Sequence, residues 1–162
     1  MEFDAPWGTS LRWITALTSA ALLALAAFGA ATSGGDAPRL LGLTVLPLAI
    51  LLGAIPFSIL GYRVTGDSLH VRRPLWTTRV DLCGLRGVRA DSKAMSGSLR
   101  LFGNGGLFSF TGWFRNRSLG SYRAWVTHPA RAVVLKLPDR TVVVSPDRPA
   151  AMAGILRERI AS

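Results

Sequence analysis

The fold of this 162-residue protein is most clearly indicated by one central stretch, RLFGNGGLFSFTGWFRNRSLGSYRAWVTH, at residues 100–128. Apolar and polar residues alternate along it, which is typical of β-strands with one buried face, and we expect strands at 107–115 and 119–128. The cluster Gly103-Asn104-Gly105-Gly106 predicts a tight turn, because glycine adopts positive φ angles without strain. A phosphate-binding loop is not indicated, since neither Lys-Ser nor Lys-Thr follows and the turn leads into a strand.

The aromatic residues of this stretch allow two interpretations. One face of the predicted strand carries Phe108, Phe110 and Phe114, and the other carries Leu107 and Trp113. Two arginines follow directly. The phenylalanines either fill a core or, beside these arginines, contact the headgroup region of a membrane, where Trp and Arg side chains are common anchors.

Regions on both sides of this stretch also favour β-structure. Period-two alternation and turn residues predict further strands at 62–65, 68–73, 77–82, 85–90, 98–102, 131–137 and 141–145. After Ser145-Pro146-Asp147, apolar residues recur at helical spacing in Met152, Ile155, Leu156 and Ile160, which predicts one amphipathic helix. The expected fold class is a mainly-β domain, an antiparallel curved sheet or open barrel with a C-terminal capping helix.

This order of elements resembles the pleckstrin-homology (PH) fold, and the central stretch is similar to the signature of a bacterial PH-like domain family. The matching elements are the turn at 103–106, Leu107-Phe108, Gly112, Phe114-Arg115-Asn116, Leu119-Gly120, Tyr122, Ala124, Thr127 and Ser145-Pro146-Asp147. Members of that family often carry a short transmembrane hairpin ahead of the domain. The resemblance implies a PH-like fold and a membrane-associated binding role, and no catalytic activity transfers with it.

Two uncharged apolar segments precede the domain, WITALTSAALLALAAFGAA at 13–31 and LLGLTVLPLAILLGAIPFSIL at 40–60. As helices they would be about 29–32 Å long, enough for a hydrocarbon core of about 30 Å. The link at 32–39 is short and rich in turn residues, which favours an antiparallel hairpin. Residues 1–61 are therefore predicted to form a transmembrane helical hairpin, and residues 62–162 the PH-like domain.

The first segment leaves two questions open. Small residues at 27–31 offer cleavage sites for a signal peptide, but Glu2 and Asp4 precede the apolar run, where a signal peptide carries positive charge. Small residues also recur at spacings of four, at Ala16, Ala20 and Ala24 in the first segment and at Ala49 and Gly53 in the second. These faces either pack the two helices together or face lipid.

The charge distribution predicts the orientation in the membrane. Of the 19 Lys and Arg residues, 17 follow Gly61, so residues 62–162 carry a formal charge of +11 and residues 1–61 a charge of −1. The positive-inside rule keeps the basic domain in the cytoplasm, and two spans return the N-terminus to the same side. We expect a two-pass protein of the cell (inner) membrane whose C-terminal domain is cytoplasmic.

Basic residues of the domain are the candidates for an anion-binding surface: Arg63, Arg72, Arg73, Arg100, Arg115, Arg117, Arg123 and Arg131. A basic domain held at a bilayer is attracted to anionic lipid, although such charges also form an ordinary solvated surface. The residues predicted to bind lipid or a partner are Arg63, Arg72, Arg73, Arg115, Arg117 and Trp113. Nucleic acid is not an expected partner, because neither a recognition helix nor an RNA-binding motif is present.

Residues suited to catalysis or metal binding are few. His70 and His128 lie in predicted strands without a nucleophile or carboxylate partner in a motif, and Cys83 is the only cysteine. We therefore expect no enzymatic activity, no catalytic residues, no cofactor and no metal site. The sequence predicts a non-catalytic binding or tethering module at the cytoplasmic membrane surface, for a protein partner or anionic lipid. The alternative is an accessory subunit of a membrane complex that works through its hairpin.

Overall fold

The computed structural model describes residues 1–161, which form a pair of apolar helices and a β-rich domain. The first apolar helix spans Thr9–Thr32 and the second spans Ala37–Phe57. Both begin before the predicted segments, and the second ends earlier because the backbone is already extended at Ser58. Each is long and apolar enough to cross a membrane, and only 17% and 6% of their most apolar windows are buried. Neither helix is therefore a core helix of the domain.

The two apolar helices pack through a face that the small-residue spacing did not indicate. Ala26 and Gly29 are buried, and a Cβ added to Gly29 would lie 2.5 Å from the Cβ of Leu43. Thr44 Oγ1 donates a hydrogen bond to the Ala26 carbonyl at 3.2 Å. Small residues at spacings of four do not make this contact in the first helix. The predicted face, formed by Ala16, Ala20 and Ala24, is exposed, so that interpretation is wrong for this helix. Glycine at position 29 allows the closest backbone approach, so it decides the packing face.

Each of the nine predicted strand regions contains a strand: β2 (Gly61–Thr65), β3 (Ser68–Arg72), β4 (Thr77–Asp81), β5 (Gly87–Ala90), β6 (Leu99–Gly105), β7 (Phe110–Asn116), β8 (Gly120–Val126), β9 (Val133–Lys136) and β10 (Thr141–Val144). The C-terminal helix, Pro149–Ala161, follows them as expected. A further strand, β1 (Glu2–Asp4), was not predicted.

The strands form two sheets rather than one. The first sheet has the order β1-β2-β3-β4, and the second has the order β5-β9-β10-β8-β7-β6. The prediction of a wholly antiparallel sheet is wrong at one pair, because β10 pairs parallel with β8. The chain leaves β8, forms β9 one place further out, and returns with β10 between them. Over the part of the chain that the structure describes, the sheets do not close into a barrel.

The main core lies between the two sheets and is covered by the C-terminal helix, which contributes Met152, Ala153 and Leu156. A second apolar cluster covers the other face of the second sheet. Phe114 is buried in it and Phe110 packs against it, so the core interpretation holds for these two phenylalanines.

The β1 strand attaches the start of the chain to the domain. It pairs antiparallel with β2, with Phe3 opposite Tyr62, and the Phe3 side chain is buried in the main core. The N-terminal ammonium donates a hydrogen bond to the Val64 carbonyl at 2.8 Å. Because β1 precedes the first apolar helix and β2 follows the second, the sheet holds the outer ends of both helices on the same side.

Candidate functional site

A cleft of about 780 Å³ separates the second apolar helix from the open side of the domain. The helix contributes Ala49, Ile50, Gly53, Ala54 and Phe57 to one wall. The opposite wall comes from the loop between β3 and β4 and from the strands β6, β7 and β8. We call this space the junction cleft.

Arg73 lies at one side of the junction cleft, in the turn that connects β3 to β4. Its backbone N–H donates to the Trp76 carbonyl at 3.1 Å, which closes the turn. The guanidinium carbon is 5.4 Å from the centre of the Trp76 ring and 5.9 Å from that of Phe57. Arg73 is only 9% exposed, and its Nε is buried without a hydrogen-bond partner. Aromatic faces therefore stabilise this cation, while its hydrogen-bonding capacity is partly unused.

Arg123 enters the cleft from β8, directly opposite Trp113 on β7. Its guanidinium carbon lies 5.8 Å from the centre of the Trp113 ring and 5.0 Å from that of Trp125. The Arg123 Nε is also buried without a hydrogen-bond partner. Two cations of the same chemistry therefore face one cleft from two different sheets.

Glycines form the floor of the cleft where β6 meets β7. Gly103 and Gly112 are paired across these strands and have φ angles of 114° and 138°. A Cβ on either residue would collide with backbone atoms of the other strand. The predicted tight turn at 103–106 is wrong in position, because Gly103 and Gly105 lie within β6 and the chain bends at 106–108. Gly103 and Gly112 instead permit a close strand approach beside the arginines.

The electrostatics of the cleft favour an anion. Within residues 1–161, neither Arg73 nor Arg123 forms a salt bridge with a carboxylate. Burial lowers the pKa of the Arg73 guanidinium from its ordinary value, and the positive charge of Arg123 lowers it further. Arg73 nevertheless stays cationic at neutral pH, because a guanidinium group is not deprotonated in proteins. Phosphate and carboxylate groups match the planar fork of donors that arginine presents.

The lining of the cleft contains no histidine, cysteine or carboxylate side chain among the described residues. It therefore offers neither a general base near neutral pH nor an obvious nucleophile. No group of three or more potential metal ligands occurs in residues 1–161. Recognition of an anion is the chemistry that this arrangement supports.

The six predicted binding residues separate into three places. Arg73 and Trp113 lie in the junction cleft. Arg63 and Arg72 lie on the outer face of the first sheet and pair with Glu2, the Arg72 Nη1 at 3.4 Å. The hydrogen bond from Arg63, and then its charge, hold the pKa of Glu2 below its ordinary value. Arg115 and Arg117 are exposed at the far end of β7 and the following turn, outside the cleft.

The sequence does not indicate the other residues of the cleft. Arg123 is one of the eight arginines that the sequence suggests for an anion-binding surface but is not one of the six residues predicted to bind, although it shares a strand face with Trp125. Phe57, Trp76 and Gly53 were not connected with binding at all. Their positions depend on where the end of the second apolar helix packs against the domain. Local sequence patterns do not indicate this packing.

Comparison with known proteins assigns the domain. A family model described as "Bacterial PH domain" matches residues 60–160, from just before β2 into the C-terminal helix. No curated protein and no solved structure matches the chain. The matched region includes Arg73, Arg123 and the aromatic residues of the domain wall, whereas the helix wall of the cleft, with Phe57, lies before it.

Proposed function

Because the chain belongs to the bacterial PH domain family, we propose that it is a membrane-anchored, non-catalytic binding module that recognises an anionic group in the junction cleft. The two apolar helices form the anchor, and the domain faces the cytoplasm at the inner membrane. The anchor confines the domain to the bilayer surface, which raises its effective concentration toward ligands in the same membrane.

The anchor is supported by three observations. The helices are long, uncharged over most of their length and largely exposed. The β1–β2 pair holds their outer ends on one side, as a hairpin with two spans requires. Seventeen of the 19 basic residues follow Gly61, which favours a cytoplasmic position for the domain.

One observation carries the binding proposal: Arg73 and Arg123 share a cleft without a carboxylate among the described residues to neutralise them. A buried, unpaired cation destabilises a folded protein unless something else compensates for its lost hydration. The aromatic rings beside the arginines supply part of that compensation, and a bound anion supplies the rest. The exposed arginines of the domain lack this property, because water and neighbouring groups already satisfy them.

Native mass spectrometry of the detergent-solubilised full chain tests the proposal. Presented with equal amounts of phosphatidylglycerol and phosphatidylcholine, the wild type is expected to retain the anionic lipid. Arg73→Gln and Arg123→Gln should each weaken retention by about 1.5–3 kcal/mol, the usual contribution of a hydrogen bond to a charged group. Because Arg73→Gln removes a buried charge and Arg123→Gln a half-buried one, the thermal midpoint of the unliganded protein should stay level or rise.

Arg115→Gln and Arg117→Gln are the matched controls, since they make the same charge change at exposed positions. Both are expected to retain phosphatidylglycerol like the wild type. If all four variants lose it equally, attraction is a diffuse effect of net charge and the cleft is not the site. Equal retention of the two lipids by the wild type would overturn the proposal as well.

A further inference from the structure

The helix wall of the junction cleft is a shallow groove along the second apolar helix. Its residues, Ala49, Ile50, Gly53, Ala54 and Phe57, follow the helical period and occupy one face over about 12 Å. Three of these five side chains are alanine or glycine. A Cβ added to Gly53 would meet no atom within 4 Å, so the groove is open at its middle.

Beside the two arginines, the opposite wall of the cleft carries large apolar side chains that are exposed. Phe102 on β6 is 78% exposed, Trp76 is 38% exposed, and Trp113 is 37% exposed. Large apolar side chains that cluster at a cleft, rather than being scattered singly, indicate a surface that contacts an apolar partner. An anion alone would leave this surface uncovered.

The polar and apolar parts of the cleft are arranged in a definite order. Arg73 stacks near Phe57, the last residue of the helix, whereas Ala49 and Ile50 lie two turns earlier. If the helix spans the bilayer, its end is at the level of the headgroups and its earlier turns are in the hydrocarbon region. The cations then sit at headgroup depth, and the groove runs from them toward the acyl chains.

From this order we infer that the ligand of the junction cleft is a whole anionic phospholipid, whose phosphate lies between Arg73 and Arg123 and whose acyl chain lies in the helix groove. The inference rests on the proposed function and adds the chemical class of the ligand. A cleft of about 780 Å³ is within the usual range for small-molecule sites, about 300–1,000 Å³. The helix is therefore part of the recognition surface as well as an anchor.

Gly53→Leu tests the groove without touching either arginine. The new side chain fills the open middle of the groove, and it should reduce the affinity for long-chain phosphatidylglycerol about tenfold or more. Gly42→Leu is the matched control, because Gly42 lies in the same helix, is exposed, and also has open space at its Cβ. The full chain, purified in neutral detergent, is titrated with long-chain phosphatidylglycerol and with glycerophosphoglycerol, which has the same headgroup and no acyl chain.

The expected result is that wild type and Gly42→Leu bind the long-chain lipid alike, Gly53→Leu binds it weakly, and glycerophosphoglycerol binds weakly to all three. If glycerophosphoglycerol binds as well as the lipid and Gly53→Leu has no effect, the helix groove does not bind an acyl chain. The proposed anion site at Arg73 would still stand. If the arginine substitutions leave binding unchanged, the proposed function fails, whatever Gly53→Leu does. Saturable, Arg73-dependent binding of an acidic protein in place of lipid would also overturn the inference.

Discussion

Arg72 and Arg73 show how neighbouring residues of the same type meet different environments. Arg72 ends β3 on its outer face and pairs with Glu2, whereas Arg73 turns into the junction cleft between two aromatic rings. Successive side chains of a strand point to opposite faces, so opposite placement is expected from the sequence. Which of the two faces the cleft was not predictable, because that depends on the helix that forms the other wall.

Tyr62, in the main core, differs from Arg73 because its buried hydroxyl has hydrogen-bond partners. Tyr62 donates its hydroxyl proton to the Trp125 carbonyl at 2.7 Å and accepts a hydrogen bond from the backbone N–H of Ser145 at 3.2 Å. Burial raises the pKa of Tyr62 to about 12, so the hydroxyl stays protonated at any physiological pH. The contrast with Arg73 supports a structural role for Tyr62 and a ligand-binding role for the arginine.

His128 should make the stability of the protein sensitive to mild acid. Its Nδ1 is buried without a partner, and its ring lies 3.1 Å from a Cβ placed on Gly8, at the start of the first apolar helix. Burial, and next the charge of Arg131, lower the pKa of His128 below its ordinary 6.5. The unfolded chain then binds more protons, so the stabilisation is complete above about pH 6.5 and is lost as the pH falls through the lowered folded-state pKa.

Denaturant unfolding of the full chain in detergent at pH 7.5 and pH 5.5 measures this effect. The wild type should lose stability at the lower pH, and His128→Gln should reduce that loss. His70→Gln is the control, because His70 is partly exposed on the first sheet and away from Gly8. A wild-type stability that is the same at both pH values contradicts the prediction.

At the level of elements, the β1 strand is the short segment with the largest consequence. Three residues link the helix pair to the first sheet, and Phe3 fills part of the main core. A three-residue strand has no recognisable period, so alternation could not indicate it. By contrast, β2 and β3 are longer than β1 and more regular in pattern, so their alternation and the turn between them could be recognised.

Gly61→Ala should release β1. A Cβ at position 61 would lie 2.7 Å from the Phe3 carbonyl oxygen, a backbone atom that cannot move independently of the strand. We expect destabilisation by about 1–3 kcal/mol, the usual cost of overpacking, and faster amide hydrogen exchange at residues 2–4. Gly87→Ala in β5 is the control, since its Cβ would meet open space. Unchanged exchange at residues 2–4 in Gly61→Ala would mean that β1 does not depend on this close approach.

At the level of the whole molecule, the β1–β2 pair and the charge distribution make one joint prediction about topology. Because the first sheet holds both outer helix ends together, the N-terminus and the domain must lie on the same side of any membrane that the helices cross. The +11 charge of residues 62–162 favours the cytoplasm for that side. The link between the helices is then exported.

Reporter fusions in a bacterial host check this topology. Alkaline phosphatase inserted between Gly34 and Gly35 should be active, because both glycines are exposed and no atom lies near their Cβ positions. The same enzyme fused to the C-terminus should be inactive, and a fluorescent protein there should be bright. Activity of the C-terminal phosphatase fusion would reverse the orientation and remove the inner leaflet as the source of the lipid.

Local patterns along the chain predicted most of the elements and the family. Period-two alternation located β2 to β10, and helical spacing of apolar residues located the C-terminal helix. Two long uncharged segments located the apolar helices. All three signals depend only on residues that are close in the sequence. The glycine-aromatic run at 100–128 likewise indicated a bacterial PH domain, which the family match confirms. Net charge favoured an anionic ligand but did not indicate a binding site.

Contacts between distant segments were beyond those patterns. Three such contacts are the pairing of β1 with β2, the parallel pairing of β8 with β10, and the meeting of Arg73, Arg123 and Phe57. In each case the segments are far apart in the sequence, and no local pattern indicates that they meet. Four of the six predicted binding residues consequently lie outside the junction cleft. Some arginines are exposed to water or pair with Glu2, whereas Arg73 is left buried and unpaired where a helix packs against two sheets. The charge of an arginine in the sequence does not distinguish these two cases.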